Sequence, residues 1–128
     1  MSSMINIDKQ VSYWRRGADE DIEAASALIE KRIYRNGLYF VHLAIEKSLK
    51  ALVCRKTQDL APRTHNLVRL AEIAGIELSG DRRRELEELS IFCLQARYPD
   101  EERPPISRVE ADIHSSKGRE ICQWLMNQ

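Results

Sequence analysis

The chain has 128 residues, of which 43% are apolar and 31% charged, and its 20 basic residues balance its 20 acidic ones. This length supports one hydrophobic core, so we expect a single domain over residues 1–128 that needs neither a disulfide nor a metal to fold. The balanced charge excludes nucleic-acid binding driven by bulk positive charge, although it leaves room for a local basic patch.

The first predicted helix extends from about Asp8 to Arg32. Apolar residues recur along this segment at steps of three and four, which places them on one stripe of a helix. The members of this stripe are Val11, Trp14, Ala18, Ile22, Ala25 and Ile29. Most acidic residues of the segment lie off the stripe, as an amphipathic helix requires.

The second predicted helix begins near Asn36, which is the expected N-cap, and extends to about Lys56. Apolar residues lie on one main stripe and also beside it. The main stripe consists of Leu38, Val41, Ile45, Leu49 and Leu52. A helix that is apolar around most of its girth is buried on more than one side. We therefore expect the central helix of a bundle, or a helix that also forms an oligomer interface.

Two further helices follow in the second half of the chain. The third is predicted to begin at a Thr64 cap and to end at Gly75, whose freedom at positive φ suits a helix C-terminus. The fourth follows a Ser-Gly-Asp turn. It is predicted to stop near Arg97, because Pro99 disfavours helical geometry in the residue before it.

Residues 99–106 contain three prolines, so we expect an exposed loop with the least order of any internal segment. Ser107 and Glu110 match the capping box that begins a fifth helix, which extends to about Met126. Its predicted apolar side is Val109, Ile113, Ile121, Trp124 and Leu125. No strand pattern is visible. The fold class predicted is all-α, a five-helix up-and-down bundle with one short helix.

Motifs for metal and cofactor chemistry do not occur in the sequence. There is no E-x-x-H pair, no glycine-rich phosphate loop, no G-x-S-x-G elbow and no C-x-x-C among the three cysteines. We therefore expect no metal and no cofactor. The start of the chain has no signal-peptide pattern, and no apolar run approaches the ~20 residues of a membrane span. These features predict a cytoplasmic protein with no membrane contact.

The second helix carries a polar face. His42, Glu46 and Lys50 fall at i, i+4 and i+8, so they share one side of the helix. One interpretation is an ordinary ladder in which Glu46 pairs with Lys50 and supports the helix. The other is a polar face that binds phosphate or a partner. The spacing is compatible with both.

Four segments of the chain occur in the order that a known family shows. They are Ala18–Ala25 in the first helix, Arg35–Leu52 in the second, Arg63–Leu67 with its T-H-N-L, and Ala96–Asp100 with its A-R-Y-P. Together they resemble the HEPN family, the higher eukaryotes and prokaryotes nucleotide-binding domain, over about Tyr13 to Trp124. The resemblance implies an all-α up-and-down bundle that is usually a homodimer. It also implies a frequent genetic partner, a minimal nucleotidyltransferase.

The first function that this resemblance implies is an interaction or nucleotide-binding module. Such a protein would partner a minimal nucleotidyltransferase in a toxin–antitoxin-like pair. The candidate residues for binding a nucleotide or the partner are Glu46, Lys50, His65, Arg97 and Tyr98. Tyr98 could also stack on a base of single-stranded RNA.

The second function is that of a metal-independent ribonuclease toxin. Many HEPN proteins use R-x4-6-H, and Arg35 with His42 matches that spacing. A histidine can exchange a proton with the ribose 2′-OH, and an arginine can stabilise the charge on the phosphorane. In those toxins the motif lies on a later helix than the second. Whether this chain is an enzyme is therefore left open by the sequence.

Overall fold

The computed structural model describes residues 5–97 and 105–128, and these residues form five helices and no strand. The helices are α1 (Ile7–Glu30), α2 (Tyr34–Thr57), α3 (Leu67–Ile73), α4 (Gly80–Arg97) and α5 (Arg108–Met126). The predicted all-α up-and-down bundle with a short third helix is confirmed. The loop predicted over 99–106 lies mostly outside the described residues.

The second helix is the central one, because α2 packs against each of the other four helices. Leu38, Val41, Ile45 and Leu49 on its predicted stripe are 0% exposed, and its additional apolar residues Ala44, Ala51 and Val53 are buried as well. The main stripe of α2 is therefore covered within one chain, whereas Leu43 beside it is only partly buried. A homodimer stays a prediction.

Two glycines allow neighbouring helices to approach α2 closely. A Cβ added at Gly37 of α2 would lie 2.6 Å from Cγ1 of Ile29 in α1. A Cβ added at Gly118 of α5 would overlap Cγ1 of Val41 in α2. Because neither position has room for a side chain, α2 is held between α1 and α5 at short interhelical distances.

The start of α2 differs from the prediction. The helix begins at Tyr34 with Ile33 as its N-cap and with no side-chain cap bond, so the assignment of Asn36 as the cap was wrong. The turn out of α1 is made by Arg32, which has a positive φ of 67°. Since the chain reverses at that residue, α2 can begin before Asn36, which lies inside its first turn.

The start of α3 also differs, and its end is as predicted. Asn66 is the N-cap, and its side chain accepts a hydrogen bond from the backbone N–H of Arg69. The prediction of Thr64 as the cap was wrong, because the Thr64 hydroxyl oxygen accepts the N–H of Asn66 instead. At the other end Gly75 has a φ of 73°, and the N–H of Ile76 donates to the Ala71 carbonyl in a Schellman motif.

The predicted capping box of Ser107 and Glu110 begins α5. Its apolar side was only partly correct, because Val109 and Ile113 are 66% and 56% exposed. The buried residues of α5 include three small ones, Ala111, Ser115 and Gly118. Gly118 marks the point at which α5 lies close to α2. Among the described residues, no helix combines the length and the apolar character needed to cross a membrane.

Candidate functional site

Glu46 is the centre of a buried polar cluster. Its side chain is 5% exposed, and Nζ of Lys50 lies 3.1 Å from its Oε2. Nδ1 of His65 lies 3.1 Å from each carboxylate oxygen, and Nδ1 of His42 lies 3.9 Å from Oε1. The structure thus brings together four of the residues that the sequence singled out. His65 joins them from the connector between α2 and α3.

The predicted ladder between Glu46 and Lys50 is present, but it is buried rather than solvated. An ion pair taken out of water is costly unless further contacts compensate its charges. Two groups supply them. Lys50 Nζ lies 5.1 Å from the centroid of the Trp14 ring, which is a cation–π contact, and His65 donates to the carboxylate. The cluster is therefore internally compensated.

A second ion pair, of which only the acidic partner is buried, extends this polar layer toward α1. Nζ of Lys47 lies 2.8 Å from Oδ2 of Asp21, which is buried. The Lys47 stem crosses Gly17, where a Cβ would lie 3.0 Å from Lys47 Cδ. Sequence reasoning did not identify Asp21. Its position three residues after Ala18 places it on the buried stripe, and that spacing was the signal for it.

The two histidines of the cluster also line a groove between α3 and α4. Its volume is about 760 Å³. The connector and α2 contribute His42, Thr64, His65 and Asn66 to the wall. The two flanking helices contribute Val68, Arg69, Glu72, Arg83, Glu87, Ser90, Ile91, Cys93 and Leu94. Of the groove residues, the two histidines were candidate site residues and Thr64 was the predicted helix cap. The groove itself arises from the packing of α3 against α4, which spacing within one helix does not reveal.

The groove combines exposed apolar side chains with unpaired charges. Ile91 and Leu94 are 46% and 57% exposed. We define the rim charges as the four charged residues of α3 and α4 in this groove, namely Arg69, Glu72, Arg83 and Glu87. In the described part of the chain, none of them forms an ion pair within 4.0 Å. The arrangement suits binding of a molecule with both apolar and charged groups.

Arg35 lies apart from the groove. It is the second residue of α2, seven residues before His42, which corresponds to a rise of about 10 Å along the helix. Its Nε is buried and has no hydrogen-bond partner among the described residues. Arg35 is not among the described residues that line the groove, whereas His42 is. Of the other candidates, Arg97 is the last residue of α4, and Tyr98 lies outside the described residues.

The thiols of Cys54 and Cys122 are poor nucleophiles near neutral pH. Burial raises the pKa of the Cys122 thiol from 9.0 to about 11, with a smaller opposing effect from a hydrogen bond with Ser48. Burial likewise raises the pKa of Cys54, against a hydrogen bond to the backbone of Ala61. In the described ranges, no group of three His, Cys, Asp or Glu side chains could hold a metal ion.

Comparison with known proteins gives one family and two similar folds. The family model of the HEPN domain matches residues 11–128. The crystal structure of TT1696 from Thermus thermophilus aligns with a TM-score of 0.79 and 17% identity over 92% of this chain and 97% of that one. ST0689, an archaeal HEPN homologue, aligns with a TM-score of 0.66 and 21% identity over 92% of this chain and 96% of that one. A search of the curated proteins gives no match.

Proposed function

The chain belongs to the HEPN domain family, and from this premise we propose that it is an interaction module that pairs with a minimal nucleotidyltransferase in a toxin–antitoxin-like system. The groove between α3 and α4 is the binding surface in this proposal. Its exposed Ile91 and Leu94 are the observation that carries it, since neighbouring exposed apolar residues beside polar ones mark interaction sites.

The cluster around Glu46 supports this groove rather than performing chemistry. Lys50 compensates the Glu46 carboxylate, and the bond from His65 ties the connector to α2. Because His65 and its neighbours Thr64 and Asn66 line the groove, this bond fixes one wall of the groove. If the module instead binds a nucleotide, the phosphate would lie at the guanidinium of Arg69 or Arg83, where the carboxylates of Glu72 and Glu87 oppose it.

We place the homodimer interface of the proposed module on α5. Val109 and Ile113 are one turn apart on this helix, and both are more than half exposed. An apolar pair on the outside of a helix can pack against the same pair of a second copy about a twofold axis.

A metal-independent ribonuclease is the second candidate function. The observation that favours it is the position of His42 in the wall of the groove. Because the His42 side chain is only 1% exposed, an RNA strand would reach the imidazole only if the groove opened. Arg35 does not support the ribonuclease function, because it is not among the described residues that line the groove. A dimer in which the partner subunit supplies the arginine would be needed to complete the pair.

Co-expression with a minimal nucleotidyltransferase from the same genome tests the first function. We expect a complex that survives size-exclusion chromatography and is lost in Leu94→Ser. Leu60→Ser is the matched control, because Leu60 is 52% exposed on the connector outside the groove. A complex that is unaffected by Leu94→Ser would contradict the assignment of the groove.

An RNA-cleavage assay in the presence of chelator separates the two functions. We expect no cleavage by the wild-type protein. Cleavage that persists in chelator and is lost in a folded His42→Ala variant would establish the ribonuclease instead.

A further inference from the structure

We propose that the groove between α3 and α4 docks an amphipathic helix of a partner protein. On each side of its apolar stripe, this helix carries one acidic and one basic residue. The inference rests on the proposed function, since it names the kind of segment through which the partner binds. Three features of the groove support it.

The first feature is the apolar surface. Val68 of α3 and Ile91 and Leu94 of α4 line the groove, and the latter two are one helical turn apart. A groove between two packed helices has the shape into which the side-chain ridge of a third helix fits. Since α3 has seven residues, it is about 10 Å long and matches two turns of such a helix.

The second feature is the balance of the rim charges. Each helix contributes one arginine and one glutamate, and none of the four forms an ion pair in the described part of the chain. The contrast with the neighbouring residues is clear, because Arg82 pairs with Glu85 and Arg84 pairs with Asp81. Arg83 and Glu87 therefore differ from these neighbours in having no ion pair within the described part of the chain.

The balance of positive and negative rim charges favours some ligands of the groove over others. A nucleotide or RNA brings only negative charge, so the attraction of Arg69 and Arg83 would be opposed by Glu72 and Glu87. A helix that carries both signs can pair with all four. Complementary charges of this kind determine specificity and orientation at an interface.

The third feature is the order of the charges. A short connection joins α3 to α4, so the two helices run antiparallel as a hairpin. Glu72 and Arg83 therefore lie nearer the hairpin turn, while Arg69 and Glu87 lie farther from it. The docked helix needs a glutamate facing each arginine and a lysine facing each glutamate. A synthetic helix with its charges in this order can therefore serve as a binding probe.

The probe is a fluorescein-labelled synthetic helix of about 14 residues with leucines at i, i+3 and i+7 and with those flanking charges. We expect its fluorescence anisotropy to rise on titration with the full chain, with a Kd below about 1 mM. Leu94→Ser should weaken binding about tenfold. Arg83→Glu should weaken it similarly, and a probe with lysine facing that position should restore it.

Arg84→Glu is the matched control, since Arg84 is an exposed neighbour on α4 that does not line the groove, and this variant should bind the original probe unchanged. The inference is overturned if the probe does not bind, or if a probe of the same composition in scrambled order binds equally well. It is also overturned if ATP or a short RNA binds in its place with dependence on Arg83. A nucleotidyltransferase complex that forms although the probe fails would reject helix docking and retain the proposed function.

Discussion

Nδ1 of His65 lies 3.1 Å from both carboxylate oxygens of Glu46, a residue 19 positions earlier in the chain. A carboxylate only accepts hydrogen bonds, so Nδ1 of His65 carries the proton of this contact. The side chain of His65 is 52% exposed, while that of Glu46 is 5% exposed. The contact therefore joins a surface connector to the interior of the bundle.

Replacement of the central carboxylate should destabilise the fold. In Glu46→Gln the Lys50 ammonium stays buried without its counter-charge, and we expect a loss of about 3 kcal/mol in the free energy of unfolding. Urea unfolding followed by circular dichroism measures this loss. Glu88→Gln on the exposed surface of α4 is the control and should change stability by less than about 0.5 kcal/mol. Equal effects of the two substitutions would show that the burial of the ion pair carries no energetic weight.

Alanine substitutions at Gly118 and Gly80 should have opposite effects on stability, because only Gly118 lies at the close contact between α5 and α2. In Gly118→Ala the new methyl group would overlap Val41, and we expect a loss of about 2 kcal/mol. In Gly80→Ala the methyl group meets nothing within 4 Å, and the lower entropy of the unfolded chain should raise stability by up to about 1 kcal/mol. Thermal unfolding of both variants checks the prediction, and a rise in melting temperature for Gly118→Ala would refute it.

The raised pKa of Cys122 predicts slow thiol chemistry and a dependence of stability on alkaline pH. At pH 8 the native thiol is protonated, so Ellman's reagent should react with it far more slowly in the folded protein than in urea. The folded state holds this proton more tightly than the unfolded state does. Its contribution to stability is therefore fully present below about pH 9 and is lost as the pH rises toward 11.

Cys122→Ala tests the second part of this prediction. The free energy of unfolding should fall less steeply between pH 8 and about pH 10 in the variant than in the wild type. Parallel pH profiles for the two proteins would assign the alkaline sensitivity to other groups.

The exposed apolar pair Val109 and Ile113 on α5 predicts a homodimer that a single substitution converts to monomers. Light scattering coupled to size exclusion should give twice the chain mass for the wild type at micromolar concentration. Ile113→Asp places a charge in the apolar contact and should give a monomer with unchanged helicity. A monomeric wild type would contradict the predicted dimer, and a dimer that tolerates both Ile113→Asp and Val109→Asp would place the interface elsewhere.

Hydropathy periodicity was sufficient to predict the five helices, because buried apolar residues recur in each of them at steps of three and four. It could not predict which neighbour covers each stripe. Val109 and Ile113 have the spacing of core residues, yet Ala111 is buried instead, and Gly118 is the small residue that packs against α2. The start of α2 was missed since Ile33 caps that helix without a side-chain bond.

The candidate site was predicted only where it lies on one helix. His42, Glu46 and Lys50 share a face by spacing alone, so their proximity follows from the sequence. The approach of His65 depends on the path of a connector, and that path is set by backbone torsions such as the positive φ of 56° at Gln58. The rim charges of the groove depend on the packing of α3 against α4, for which spacing within one helix gives no information.

The central position of α2 has a consequence during synthesis on the ribosome. Val41 and Ile45 are covered in part by Gly118 of α5, and α5 begins about 50 residues after α2 ends. At ~5–20 residues per second, α2 would wait roughly 3–10 s for that partner. During this interval α1, and later α3 and α4, can cover parts of α2, but the face that α5 covers stays exposed. This is the stage at which the chain depends most on a chaperone that binds exposed apolar segments.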